Sequence, residues 1–368
     1  MNALGVLFSN IHDEDLDGLT NNRSTASVPY GGRYRLIDFT LSNLVNADIF
    51  NIAIITKTNY HSLMDHIESG KAWDLNRKNG GLSIFPPFAT NTQKSVYRGK
   101  LEALIGLKKF LENTKEDFVV LSDCNLVCAL NMKDVLAKHQ EMENDITMVY
   151  QNSKTVREQD LVLQIDGNSF VTSAAVAIRK GDRPCPVSLG IYVMKKELLI
   201  HIIEDAYGQG LIHFEREYLP KYLSRMKVWA YESRGYTAVI KSVEDYYSAS
   251  MDLLDRNVRE ELFYTENIYT KVKDTPPAKY GTHASVSNSF IADGTVIDGT
   301  VENSIIFRGV HIEKGAHVQN SIVMQASVIQ ENARLNYVIT DKNVIITRGN
   351  TLAGLENYPL VIIKDRVV

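Results

Sequence analysis

The sequence predicts an α/β domain on a mostly parallel sheet, followed by a left-handed parallel β-helix. Three observations carry this. Residues 1 to about 255 alternate short apolar runs with helical patterns, which is how strands covered by helices on both faces read. From His283 onward the apolar period becomes six. Between the two lies a stretch without a period that contains Lys273-Asp274-Thr275-Pro276-Pro277.

In the first region the strand candidates are residues 3–8, 51–56, 118–122, 146–150, 190–194 and 228–231. Helical patterns occupy 101–111 and 132–143, and one amphipathic helix is expected over 243–263. Ligands on such sheets bind beyond the C-terminal strand ends, so the loops there are where chemistry belongs. The expected division is 1–264, a linker over 265–283, and the coil over 284–368.

In the second region Ile291 and Ile297 are six apart, Ile306, Ile312, Val318 and Met324 continue at six, and Ile329 and Leu335 repeat it. Gly294, Gly315 and Asn332 fall at one fixed phase, where a tight corner needs left-handed backbone. An antiparallel sandwich does not produce that register. Such a coil leaves sheet edges at both ends, so oligomer formation is expected.

Composition narrows the function classes. With 44% apolar and 23% charged residues among 368, the chain reads as globular, and its length favours two domains. A net charge of -4 gives no basic field for nucleic acid. The three cysteines, Cys124, Cys128 and Cys185, suit a reducing cytoplasm. No Cys or His pair completes a zinc set with Cys124 and Cys128, so buried thiols are expected. The apolar N-terminus lacks the basic flank of a signal peptide, and no run is long enough to span a bilayer. A cytoplasmic location is expected.

The run Val28-Pro29-Tyr30-Gly31-Gly32-Arg33-Tyr34-Arg35-Leu36-Ile37-Asp38-Phe39, with Leu41-Ser42-Asn43, closely resembles the segment after the phosphate loop of ADP-glucose pyrophosphorylases (glucose-1-phosphate adenylyltransferases). Ser188-Leu189-Gly190-Ile191-Tyr192, Ala249-Ser250-Met251-Asp252-Leu253-Leu254 and Asp341-Lys342-Asn343-Val344 extend the likeness along nearly the whole chain. The resemblance implies a nucleotide-diphospho-sugar transferase domain (Rossmann-like, with a mixed, mostly parallel sheet) joined to the β-helix, usually as a tetramer. It also implies a reaction in which glucose 1-phosphate attacks the α-phosphate of ATP. That chemistry needs a backbone cradle for the triphosphate, cations over the developing charge and carboxylates for magnesium.

Against that pattern several parts are missing. The family's glycine-rich loop is replaced by Phe8-Ser9-Asn10-Ile11-His12-Asp13-Glu14-Asp15-Leu16, and Asp13, Glu14, Asp15 and Asp17 repel rather than hold phosphates. In Arg23-Ser24-Thr25-Ala26-Ser27-Val28-Pro29-Tyr30, Arg23 persists but Thr25 stands at the family's lysine. The family's Ser-Gly-Asp-His aligns with Ser122-Asp123-Cys124-Asn125, which puts a thiol, a poor ligand for a hard cation, at the carboxylate. Asp123, a weak metal candidate, is expected to point to the other side. The family's Trp-Lys-Asp-Val-Gly becomes Thr237-Ala238-Val239-Ile240-Lys241, so Ala238 and Val239 are degenerate positions too.

On the sugar side, Tyr97 and Gly99 persist in Tyr97-Arg98-Gly99-Lys100-Leu101-Glu102-Ala103, against the family's Tyr-x-Gly-Thr-Ala-Asp-Ala. Ser188 and Gly190 match sugar-phosphate positions, while the family's Glu-Lys-Pro is absent near Ser173–Val176. These are the marks of a vestigial pocket, or of packing alone.

The pattern of retained scaffold and lost loops resembles the GlgD-type subunits of bacterial ADP-glucose pyrophosphorylase. The resemblance implies a non-catalytic or weakly active regulatory subunit, hetero-oligomeric with a catalytic GlgC-type partner and with homo-oligomers as a further state. No cofactor is expected in this chain, and magnesium is expected in the partner. One alternative is an active adenylyltransferase that holds magnesium with Asp123 and Glu102. Another is a sugar-phosphate sensor or a plain structural subunit. Arg23, Arg33, Arg35, Lys57 and Arg308 are the basic candidates for an effector, though solvated surface accounts for many such residues.

Overall fold

In a computed structural model the described residues are 2–9, 16, 18–87, 97–181 and 183–368. The acidic substitutes Asp13, Glu14, Asp15 and Asp17 lie outside them. The first domain is built on nine strands: β1 Ala3–Phe8, β2 Asn51–Ile55, β3 Gly81–Phe85, β4 Phe118–Asp123, β5 Ile146–Ser153, β6 Leu161–Ile165, β7 Val171–Val176, β8 Cys185–Lys195 and β9 Val228–Glu232. The order β7-β6-β8-β4-β1-β2-β3 is parallel from β4 to β3 and antiparallel at β8. β5 lies against β8, with β9 parallel to it.

β1, Ala-Leu-Gly-Val-Leu-Phe, is buried along its whole length, as a strand covered on both faces must be. Helix α1 (Leu36–Asn46) and helix α2 (Lys100–Asn113) close opposite faces, their apolar residues falling in two separate core clusters. In α2 the inward residues Leu101, Leu104, Leu107 and Leu111 follow the helical period.

The element boundaries depart from the sequence reading in three places. The helix expected over 243–263 is two, Val243–Asp252 and Arg256–Tyr264. The Asp255 side chain accepts a hydrogen bond from the Asn257 N–H and so starts a second helix inside a continuous amphipathic pattern. β8 begins at Cys185, not at residue 190, because a bulge between Ser188 and Ile191 carries the strand past Gly190. Within the 265–283 stretch, Lys279–Tyr280 is already the first strand of a five-stranded sheet. Upstream of it, Asn46 donates to the Asn267 carbonyl at 3.0 Å and the Tyr269 N–H donates to Ser42 at 2.9 Å.

The C-terminal region is the left-handed parallel β-helix, with three five-stranded parallel sheets. Gly294, Gly315 and Asn332 have φ of 73°, 72° and 59°, the left-handed backbone that the corners require. The buried column contains Ile297, Val301, Ile306, Ile312, Val318, Val323, Ile329 and Leu335. Met324 is not in it. A five-residue step from Val318 puts Val323 inside, and Met324 faces the first domain. Ile305, Phe307, Ile322, Met324 and Ile339 share one apolar cluster with Tyr30, Phe39 and Tyr246, so the β-helix and the α/β domain are joined by a common core. Tyr247 donates across this seam to the Asn320 carbonyl at 2.7 Å.

Candidate functional site

Two places gather polar groups: the cleft over the strand ends and the seam between the domains. The cleft is a cavity of about 550 Å³ lined by Tyr97, Gly99, Lys100, Asp123, Asn125, Ser188, Gly190, Glu215, Val239 and Lys241, among others. It thus brings together all four sugar-side candidates.

Gly99 caps helix α2 and packs so closely that a Cβ there would lie 2.5 Å from the Ile212 carbonyl oxygen. Gly190 has φ of +71°, and a Cβ on it would lie 2.6 Å from Asp123 Oδ2. Both glycines therefore hold cleft groups in place through backbone approach. Ser188 Oγ accepts from the Gly190 N–H at 3.2 Å, inside the bulge that aims this strand at the cavity.

The register at the end of β4 is the reverse of the expectation. Asp123, expected to point away, lines the cleft, and Cys124 is turned into the core with its thiol pushed far up by burial. Lys100 Nζ lies 2.9 Å from both Asp123 oxygens and also bonds Glu215. Burial alone would lower the Lys100 pKa, but Asp123 and Glu215 overcome that and hold the lysine charged. Tyr192 OH donates to the same Glu215 oxygen at 3.3 Å.

The other aligned positions offer no ligand. Thr25 is buried in a short 3-10 turn, Ala238 packs against the seam cluster, and Val239 presents only an apolar side chain to the cavity. Lys241 is paired with Asp160 at 2.7 Å. Glu102, offered with Asp123 as a displaced magnesium pair, instead accepts from the Arg98 N–H at 2.6 Å and does not line the cavity. Among the described residues no three His, Cys, Asp or Glu side chains are grouped to hold a metal. Magnesium therefore does not fit this cleft: a hard cation needs several oxygens, and the one aspartate at the strand end is already held by an ammonium group.

The seam is different. Arg23, fully covered, pairs with Asp341 of the β-helix at 2.9 Å. Arg35 bonds the Ser62 hydroxyl at 2.9 Å, and burial with the nearby Arg23 lowers its pKa to about 10 against the pull of Asp38. Lys342, beside them, forms no ion pair with the described residues, and its pKa falls to about 7 through burial, Arg35 and Arg23. Lys273 is lowered too, by burial and then by Arg308, which itself pairs with Asp293 at 2.9 Å. Arg33 lies outside this group, exposed and over the Tyr34 ring. Lys57 lines the cleft instead.

Site reading from the sequence missed Lys100, Glu215 and Lys342. Lys100 lies at the position where the family has threonine and Lys342 is the lysine of Asp341-Lys342-Asn343, and these positions are the sequence signals for them.

No helix among the described residues is long and apolar enough to cross a membrane. A nucleotidyl transferase family model matches residues 14–256, and a model for the GlmU-like C-terminal hexapeptide matches 276–357. The chain is 38% identical to the glycogen biosynthesis protein GlgD of Bacillus subtilis over 99% of this chain and 96% of that protein. It is 37% identical to the GlgD of Geobacillus stearothermophilus over 86% of this chain and 82% of that one. To the glucose-1-phosphate adenylyltransferase of Acetivibrio thermocellus it is 30% identical, over 97% and 84%. The chain belongs to the nucleotidyl transferase family, among relatives named GlgD.

Proposed function

We propose that the chain acts in glycogen biosynthesis as a non-catalytic regulatory subunit of a glucose-1-phosphate adenylyltransferase. The observation that carries this is the state of the aligned catalytic positions: Thr25, Cys124, Ala238 and Val239 present neither an ammonium nor a carboxylate to the cleft. Magnesium chemistry then belongs to a catalytic partner in a hetero-oligomer, with a tetramer as the expected size. The cleft itself is still formed, with Tyr97, Ser188 and Gly190 among the residues that line it.

The seam supports the regulatory half of the reading. Arg23, Arg35 and Lys342 sit where the two domains meet, and Lys342 forms no ion pair among the described residues, with Asp341 offsetting only part of the effect of burial, Arg35 and Arg23. A sugar phosphate or similar anion there would relieve the mutual repulsion and tighten the seam. Leu355 and Tyr358, 70% and 72% exposed on the last coil, offer apolar surface for a neighbouring subunit.

The experiment is to purify the chain alone and assay ADP-glucose synthesis with magnesium, then add a catalytic subunit and repeat with and without sugar phosphates. No turnover alone and an altered rate or effector response in the mixture are expected. Solo turnover comparable to a catalytic subunit, or a mixture indistinguishable from the catalytic subunit alone, would refute the reading. Calorimetry with glucose 1-phosphate separates a sensor, which binds, from a plain structural subunit, which does not.

A further inference from the structure

We propose that Lys100 is a resident cation of the cleft, occupying the space a divalent ion would take, and that a divalent site formed by Asp123 and Glu215 is exposed when it is removed. This reading stands on local geometry and holds whether or not the chain regulates a partner.

The ammonium group touches both carboxylates at once, 2.9 Å from each oxygen of Asp123 and hydrogen-bonded to Glu215 Oε1. Two carboxylates bridged by one nitrogen are close enough to share one metal ion, since oxygen ligands lie about 2.0–2.6 Å from magnesium, manganese-sized ions or calcium. Beyond the Lys100 ammonium, 2.9 Å away, the buried Asp123 Oδ1 has no further partner among the described residues, so removing the lysine would leave it open to another cation. The bare Gly190 backbone leaves Asp123 the room it needs.

The position of the lysine is informative as well. Lys100 is the first residue of helix α2, where the helix dipole disfavours a positive charge. It is nevertheless almost fully covered, with its nitrogen 5.5 Å and 5.7 Å from the centres of the Phe8 and Tyr192 rings. Two carboxylates and two ring faces compensate a cation that neither the helix end nor burial favours. A side chain cannot dissociate as an ion can. The positive charge of this cleft is therefore constant, and anion binding there should not respond to magnesium.

The test uses the full chain, Mn2+ as a paramagnetic probe of divalent binding, and the variants Lys100→Thr, Lys100→Gln and Lys100→Thr with Asp123→Asn. The wild type is expected to show no cleft-dependent Mn2+ site. Lys100→Thr and Lys100→Gln should gain one with a Kd at least tenfold lower than any wild-type binding, and Asp123→Asn should remove it. Folded Lys100 variants that bind no Mn2+ would overturn the proposal and leave the lysine as an ordinary buried pair. So would a wild-type Mn2+ site that Asp123→Asn abolishes. If both single variants unfold without metal, Mn2+ should raise their Tm, and absence of that rise overturns the proposal equally.

Discussion

The cleft and the seam hold similar numbers of basic side chains but treat them in opposite ways. In the cleft Lys100 is matched to Asp123 and Glu215, and Lys241 to Asp160. In the seam the one fully covered carboxylate of the β-helix, Asp341, is taken by Arg23, and Lys342 forms no ion pair among the described residues, so burial, Arg35 and Arg23 outweigh the pull of Asp341 on it. Matched charges cancel locally and fix a geometry, while unmatched buried charges store repulsion that an incoming anion can relieve. On the proposed reading, an anion would therefore gain more by binding at the domain boundary than in the cleft.

The largest effect that would break this comparison is expected at Arg23. Arg23→Ala strands Asp341 in the covered seam, and removing one partner of a buried pair costs about 3–5 kcal/mol. Urea unfolding measures it. A loss under about 1 kcal/mol would mean the pair does not hold the domains together. Cys124→Asp should come next. It restores the carboxylate that the family motif carries at this position, but the side chain faces core, so a cost on the order of 3 kcal/mol is expected, with no gain of Mn2+ binding. Gain of a metal site without loss of stability would show that the end of β4 can turn over.

Lys342 gives a smaller, pH-dependent effect. Its pKa is about 7 in the folded chain against 10.5 as the ordinary value. Between these the unfolded chain binds the extra proton, so stability rises with pH across the window, and the penalty is complete below pH 7. The slope is at most about 1.4 kcal/mol per pH unit. Lys342→Met should abolish it, making the variant more stable than the wild type at pH 6 and nearly equal to it at pH 10. Anion binding at the seam should run the other way, weakening above pH 7 as the lysine discharges. Equal pH profiles for wild type and variant would place the Lys342 nitrogen in water.

Much of this architecture is legible without coordinates. The apolar runs of β1 and β2 can only be covered strands, and the corner positions Gly294, Gly315 and Asn332 mark the coil because their backbone must be left-handed. The misreadings share a cause. The helix break at Asp255 and the inward turn of Val323 depend on a single capping bond and a single short step, which a period averaged over many residues conceals. The cleft was read through what it lacks, Thr25 and Cys124, because comparison with a motif displays losses. Lys100 acquires its meaning from Asp123 and Glu215, distant in the chain, and Lys342 acquires its own from Arg23 having already claimed Asp341. Such meanings are properties of the assembled fold.

The smallest effect sharpens the comparison by separating pairing from burial. Arg256 and Glu260 form an ion pair at 2.7 Å, the same length as that of Lys241 with Asp160, yet the Arg256 side chain is 82% exposed on its helix. Water already solvates both groups, salt screens their attraction, and holding two long side chains in one geometry costs rotamer freedom. Arg256→Ala should therefore change unfolding stability by at most about 0.5 kcal/mol and leave anion binding unaltered. Lys241→Ala, by contrast, leaves a covered Asp160 without its cation and should cost about 1–3 kcal/mol. If the two variants lost equal stability, distance alone would set the value of a pair, and the contrast between cleft and seam would lose its physical basis. If they differ as expected, burial sets that value, and Lys342, with no ion pair among the described residues, is where an anion has most to gain by binding.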